Sequence, residues 1–173
     1  MKHFLSWFDT HAFLMTAAPT STATALSGEI EDVNSINGGN PSVNIKENYH
    51  IDGDGYASKT PISKNIEDIE INFDRAAGSI YTVDGADAYS RFRSWEETTG
   101  SEHKYFVIVT KRDGEGEAAY EGVYYDVINA GMTEGERNPD DIQNITQRLA
   151  VSGGRKRCTI SKSEDGSFTW KTA

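Results

Sequence analysis

Asp68, Glu70 and Asp74 stand in the stretch IEDIEINFDR, residues 66–75, on one parity with Asn72, while Ile69, Ile71 and Phe73 occupy the other. A two-residue period of this kind is that of a strand with one buried face. Asp68 and Glu70 would then lie roughly 7 Å apart on one face by strand geometry, a spacing that a general acid and base of a glycosidase can share. Any two acids on a strand meet that condition, and no sugar-binding surroundings accompany these two. The arrangement raises a physical question instead. Like charges at neighbouring positions on one face repel, yet no base is interleaved among these three carboxylates.

Other chemistry-bearing residues are less promising. HIDGDGYAS places Asp52 and Asp54 at the first and third positions of a calcium-type loop, but Tyr56 and Ser63 occupy the fifth and twelfth, where further acids are needed. A tight hairpin turn is the better account. His3, His11, His50 and His103 show no metal-ligand spacing. VSGG, residues 151–154, does not match a nucleophile elbow. Cys158 is the single cysteine, so no intrachain disulfide forms, which fits a reducing compartment. It reads as a small buried hydrophobe. The expectation is a protein with no catalytic site, no metal and no cofactor.

The elements that would position these residues are mostly strands. The chain has 173 residues, room for one domain with a real core. Its net charge of −10 comes from residues 29–173, where 26 acids face 16 bases. That balance argues against a nucleic-acid-binding surface, which needs clustered Lys and Arg. Residues 1–27 differ: Phe4, Leu5, Trp7, Phe8, Phe13 and Leu14 form an apolar segment, followed by the uncharged TAAPTSTATALSG. They are read as an arm and linker, and an apolar arm normally docks on something. Asp9 and His11 interrupt the apolar run, so neither a cleaved leader nor a membrane span is expected.

Residues 28–173 are read as the domain. Early strands fall in GEIEDVNSING and SVNIKENYHI, and a loop or bulged edge near Pro61, which cannot donate to a ladder. A helix is expected near 85–98, capped by Asp84 or a neighbour, with Ala88, Tyr89, Phe92 and Trp95 repeating at three and four. Strands resume at KYFVIVTKR, AAYEGVYYDVINAGM and IQNITQRLAVSGG, and a final pair at RKRCTIS and SFTWKT.

Three passages carry a resemblance: IEDIEINFDR with the helix after it, KYFVIVTKRDGEGEAAYEGVYYDV, and DDIQNITQRLAVSGG. In this order the elements resemble the major tail proteins, the tube proteins of long-tailed bacteriophages, and are similar to tube proteins of contractile tails and secretion systems. The resemblance implies a mainly β (α+β) fold: a sandwich or barrel of packed antiparallel sheets flanked by one α-helix. It implies a virion protein, assembled in the host cytoplasm, whose copies close into rings, six to a ring, that stack into a tube. Its implied partners are other copies, the tape-measure and other tail proteins, and viral DNA passing through the lumen at ejection without specific binding; no membrane is involved. Asp68, Glu70, Asn72 and Asp74 would line that lumen, because carboxylates repel phosphate and release no counterions to it. A reading from another class is a carbohydrate-binding β-sandwich with Tyr120, Tyr124 and Trp170 as platforms.

Overall fold

The computed structural model describes residues 10–31, 33–48, 56–75, 79–99, 102–111, 120–136 and 142–172. Phe4, Leu5, Trp7, Phe8, His3, His50, Asp52 and Asp54 lie outside them, as does the Cys158 side chain. Among the described residues, eleven strands and one α-helix follow in chain order: β1 Thr10–Met15, β2 Thr24–Ala25, β3 Val33–Gly38, β4 Pro41–Asn48, β5 Ser58–Ile66, β6 Ile69–Arg75, α1 Ala88–Ser94, β7 Lys104–Lys111, β8 Tyr120–Glu134, β9 Gln143–Val151, β10 Lys156–Lys162 and β11 Phe168–Thr172.

β8 organises the body. Its first half pairs with β7 on one side and β10 on the other, and its second half pairs with β9. From there the antiparallel sheet runs through β10, β11 and β2 in one direction and through β9, β6 and β3 in the other, while β7 carries β1. The branch with β1, β7, β8, β10 and β11 curls on itself. Phe13 of β1 meets Phe168 of β11 with ring centroids 5.9 Å apart, and Val107, Val109, Tyr124, Ile160 and Trp170 fill the space between them. The opposite faces of β1, β7 and β8 join those of β6 and β9 in a second cluster, closed by α1. A mainly β body of packed antiparallel layers with one flanking helix is therefore the architecture of this chain.

The helix begins three residues later than the sequence suggests. Gly85 N–H donates to the Thr82 carbonyl, Asp84 adopts φ 58°, and the cap is Asp87, whose carboxylate accepts from Ser90 N–H. Beyond Ser94 the backbone continues as a π-helical turn, Trp95–Thr99. Ala88, Tyr89, Phe92 and Trp95 are all buried; Phe92 stacks on Phe73 at 5.8 Å, and the Trp95 indole donates to the Glu102 carbonyl at 2.9 Å.

The arm boundary at residue 27 is displaced. Thr10–Met15 form a strand of the main sheet, in register with Thr110–Tyr105 of β7, and Phe13 and Leu14 are buried. Residues 28–30 run alongside: Leu14 N–H bonds the Gly28 carbonyl, and Ile30 N–H bonds that of Ala12. The expectation of an arm extending to residue 27 misses this, since both faces of β1 enter the core.

β4 and β5 form a separate two-stranded sheet with a bulge beside Pro61. The register sorts their residues cleanly, because directly opposed residues share a face. Pro41, Val43, Ile45 and Glu47 face Ile66, Lys64, Pro61 and Lys59, whereas Ser42, Asn44, Lys46 and Asn48 face Asn65, Ser63, Thr60 and Ser58. One side is mostly apolar, with Lys64 opposite Val43 and a Glu47–Lys59 ion pair at one end; the other is wholly polar. Among the described residues no helix is long and apolar enough to cross a membrane.

Candidate functional site: the acidic face of the β3–β6–β9 layer

β6 is the middle strand of its layer. Its inner side chains, Ile69, Ile71 and Phe73, are at most 1% exposed and pack under the helix. Pleating therefore turns Glu70, Asn72 and Asp74 outward. Asp68 lies just before the strand begins, and it too is exposed.

The neighbouring strands answer how the sheet tolerates these acids. Opposite Glu70 stand Asn37 of β3 and Arg148 of β9; opposite Asn72, Ser35 and Thr146; opposite Asp74, Asn144. Asn72 donates to Ser35 Oγ at 3.1 Å and accepts from Thr146 Oγ1 at 2.6 Å. Asn144 donates to Asp74 at 3.2 Å. Arg148 reaches Asp68 at 3.3 Å and approaches Glu70 at 3.9 Å. The base that the outer face of β6 lacks comes from β9, since Arg75 lies on the other parity, and a neutral amide separates Glu70 from Asp74. The face keeps three carboxylates against one guanidinium. All of these charges are about half exposed or more, so their mutual energies are small and salt-screened.

Asp68 and Glu70 share one arginine and have similar exposure. Among the described residues no group of three or more His, Cys, Asp or Glu side chains is placed to hold a metal. His11 pairs with Glu29 and His103 with Asp126, each at 2.7 Å. The carbohydrate platforms are also corrected. Trp170 is 0% and Tyr124 6% exposed, their rings 5.2 Å apart inside the body, and Tyr120 is partly buried with its ring 5.1 Å from that of Phe168 in the same cluster.

Behind the layer lies a charged cluster around Tyr89, whose members Arg75, Arg93 and Glu134 the sequence did not single out. Glu134 of β8 accepts from the Tyr89 hydroxyl at 2.9 Å and from Arg93 at 2.6 Å, while Arg75 lies 3.7 Å over the Tyr89 ring. Burial alone would lower the Arg93 pKa, but the bonds to Tyr89 and Glu134 outweigh it and raise it. α1 is thereby fastened to β8 through Glu134 and to β6 through Arg75.

Solved structures with this architecture decide what fold it is. One is a chain of an extracellular contractile injection system, the PVC sheath–tube complex in its extended state, with TM-score 0.61 and 14% identity over 91% of this chain and 93% of that one. The fold is that of a tail-tube subunit. The SPP1 tail tube matches with TM-score 0.56 at 12% identity, covering 88% of this chain and 78% of its own. A chain of the anti-feeding prophage baseplate, 6-fold symmetrised, matches with TM-score 0.57 at 6% identity, covering 86% and 89%. No family model and no curated protein matches the sequence.

Proposed function

We propose that this chain is a structural tube subunit: its copies close into rings, six to a ring, and the rings stack into the tail tube of a virion. The carrying observation is the tail-tube fold, matched over about nine-tenths of the chain. Two features of the chain support the reading. The β4–β5 hairpin leaves Val43, Ile45 and Ile62 at 48%, 56% and 63% exposure. A lone two-stranded hairpin is marginal in water, and an assembly would cover its apolar side. The outward acidic layer is the second. A conduit for DNA must let phosphate slide without capture, and a wall with surplus carboxylates offers few cations for counterion-releasing contacts.

In this reading Asp68, Glu70, Asn72 and Asp74 line the lumen, the partners are further copies and other tail proteins, and the chain performs no catalysis. Residues 1–9, with Phe4, Leu5, Trp7 and Phe8, serve as an assembly arm. The test is microscopy of the purified protein at high concentration. Rings or tubes are expected; monomers at every concentration would end the proposal.

A second reading keeps the tube and changes the device, to the inner tube of a contractile injection system. It draws on the matches to two chains of an extracellular contractile injection system, each with TM-score 0.61 at 14% identity. Electron microscopy of the particles in which the chain occurs separates the two: a tube inside a sheath supports the contractile device, and a bare tube the non-contractile tail.

A further inference from the structure

A pocket of about 240 Å³ opens between α1 and the adjoining ends of β1 and β7. Leu14 and Trp95 form part of its wall, Thr16 contributes a hydroxyl, and Arg91, Lys104 and Asp84 bring charge. Both cations are held by their surroundings. Arg91 Nη1 donates to the Glu29 carbonyl at 2.6 Å, and a β-carbon on Gly28 would lie 2.8 Å from Nη2, so that glycine leaves the guanidinium its room. The Lys104 ammonium sits 5.4 Å from the centre of the Trp95 ring, which the indole bond to the Glu102 carbonyl fixes in place.

Arg93 of the same helix pairs with Glu96 and Glu134. Among the described residues, Arg91 and Lys104 take part in no ion pair. Burial lowers the pKa of both, and at Lys104 the pull of Glu102 and Asp84 against Arg91 does not restore it. A cation withdrawn from water without a partner raises the free energy of the fold, and an anion that enters beside it removes part of that cost. The lining carries two positive charges against one negative. One monoanion balances it, whereas a phosphate dianion would leave a charge over.

We infer that this pocket is a carboxylate socket, in which the Arg91 guanidinium and the Lys104 ammonium together bind one carboxylate group. With Nη1 of Arg91 engaged by Glu29, its other N–H groups have no partner among the described residues. They offer charge-assisted bonds to one side of a carboxylate and Lys104 offers them to the other. The carboxylate comes either from an acidic side chain of another polypeptide or from a free carboxylic acid, and the binding chemistry is the same. A single chain holds the whole socket, so the inference stands apart from the tube reading.

The test reads Lys104 itself. A bound carboxylate stabilises the ammonium form and so raises the Lys104 pKa; a rise of about half a unit leaves about threefold fewer free amines to acylate. The full chain is labelled with an N-hydroxysuccinimide ester, and Lys104 is quantified by peptide mass spectrometry against the exposed Lys46. In sodium acetate Lys104 should label about threefold more slowly than in sodium chloride of equal ionic strength, with Lys46 unchanged. Arg91→Gln, with circular dichroism unchanged, should lose this protection; the wild-type comparison decides by itself should the variant misfold. An aspartate-rich peptide blocked at both ends separates the sources. Protection at about tenfold lower carboxylate concentration than acetate assigns the socket to a side chain of another polypeptide, and protection at equal concentration assigns it to free carboxylates. Equal labelling in acetate and chloride, or undiminished protection in folded Arg91→Gln, would overturn the inference and leave the tube reading standing.

Discussion

Gly122 shows how closely the two sides of the curled branch approach. A β-carbon there would lie 2.6 Å from both Ile160 and Trp170. Gly122→Val should therefore force the barrel apart and cost at least the roughly 1–3 kcal/mol of an overpacked core, read as a lowered midpoint in thermal or urea unfolding. Phe92 and Trp95 make the converse case. At 0% and 1% exposure, each should cost roughly 3–5 kcal/mol on truncation to Ala; unchanged stability in both would show that α1 is not the lid of the core. At this scale the sequence was legible where one residue type meets one local rule. The helix stripe followed from its spacing. The Arg148 contact with Asp68 spans 80 positions, and no local pattern indicates which strand lies beside β6. Gln147, fully buried and donating to Asn129, Gly131 and Arg148, likewise reads in the sequence as one more polar residue.

Strands that bury one face announce themselves by alternation, and β6 and β9 were readable for that reason. β1 was not, because it buries both faces: Ala12 and Leu14 enter one cluster, Phe13 and Met15 the other. Such a strand gives a continuous apolar run with no period. β7 has the same double burial, yet turn residues isolate it in the sequence, whereas THAFLM adjoins a segment that is itself apolar. Truncations separate the two parts of this region. Removal of residues 1–9 should leave β circular dichroism intact and impair assembly. Removal through Met15 strips β7 of one of its two partners and empties part of both clusters, so it should yield protein with lost or strongly destabilised β structure. An intact fold after the longer cut would contradict the placement of β1.

For the whole molecule, the fold class and the order of elements were visible in the sequence, while the separation of the hairpin from the body and the course of the sheet through β8 were not, since pairing between distant strands leaves no local period. Charge acts at this scale. Changing Asp68, Glu70 and Asp74 together to Lys shifts the face by six charges per copy. These positions are exposed, so folding should survive with only a small loss from Arg148, which would be left among like charges. Phage or particles built from this variant should assemble and then deliver DNA slowly, with the defect relieved at high salt as counterion-releasing contacts weaken. Normal delivery at low salt would show that the acids face outward.

The most direct test of the central claim is a cryo-electron microscopy reconstruction of the purified chain at high concentration. The account predicts stacked rings with β6 on the bore, Glu70, Asn72 and Asp74 facing the channel, and α1 on the far side of the sheet. Monomers alone, or an assembly with that acidic layer on its outer surface, would contradict it.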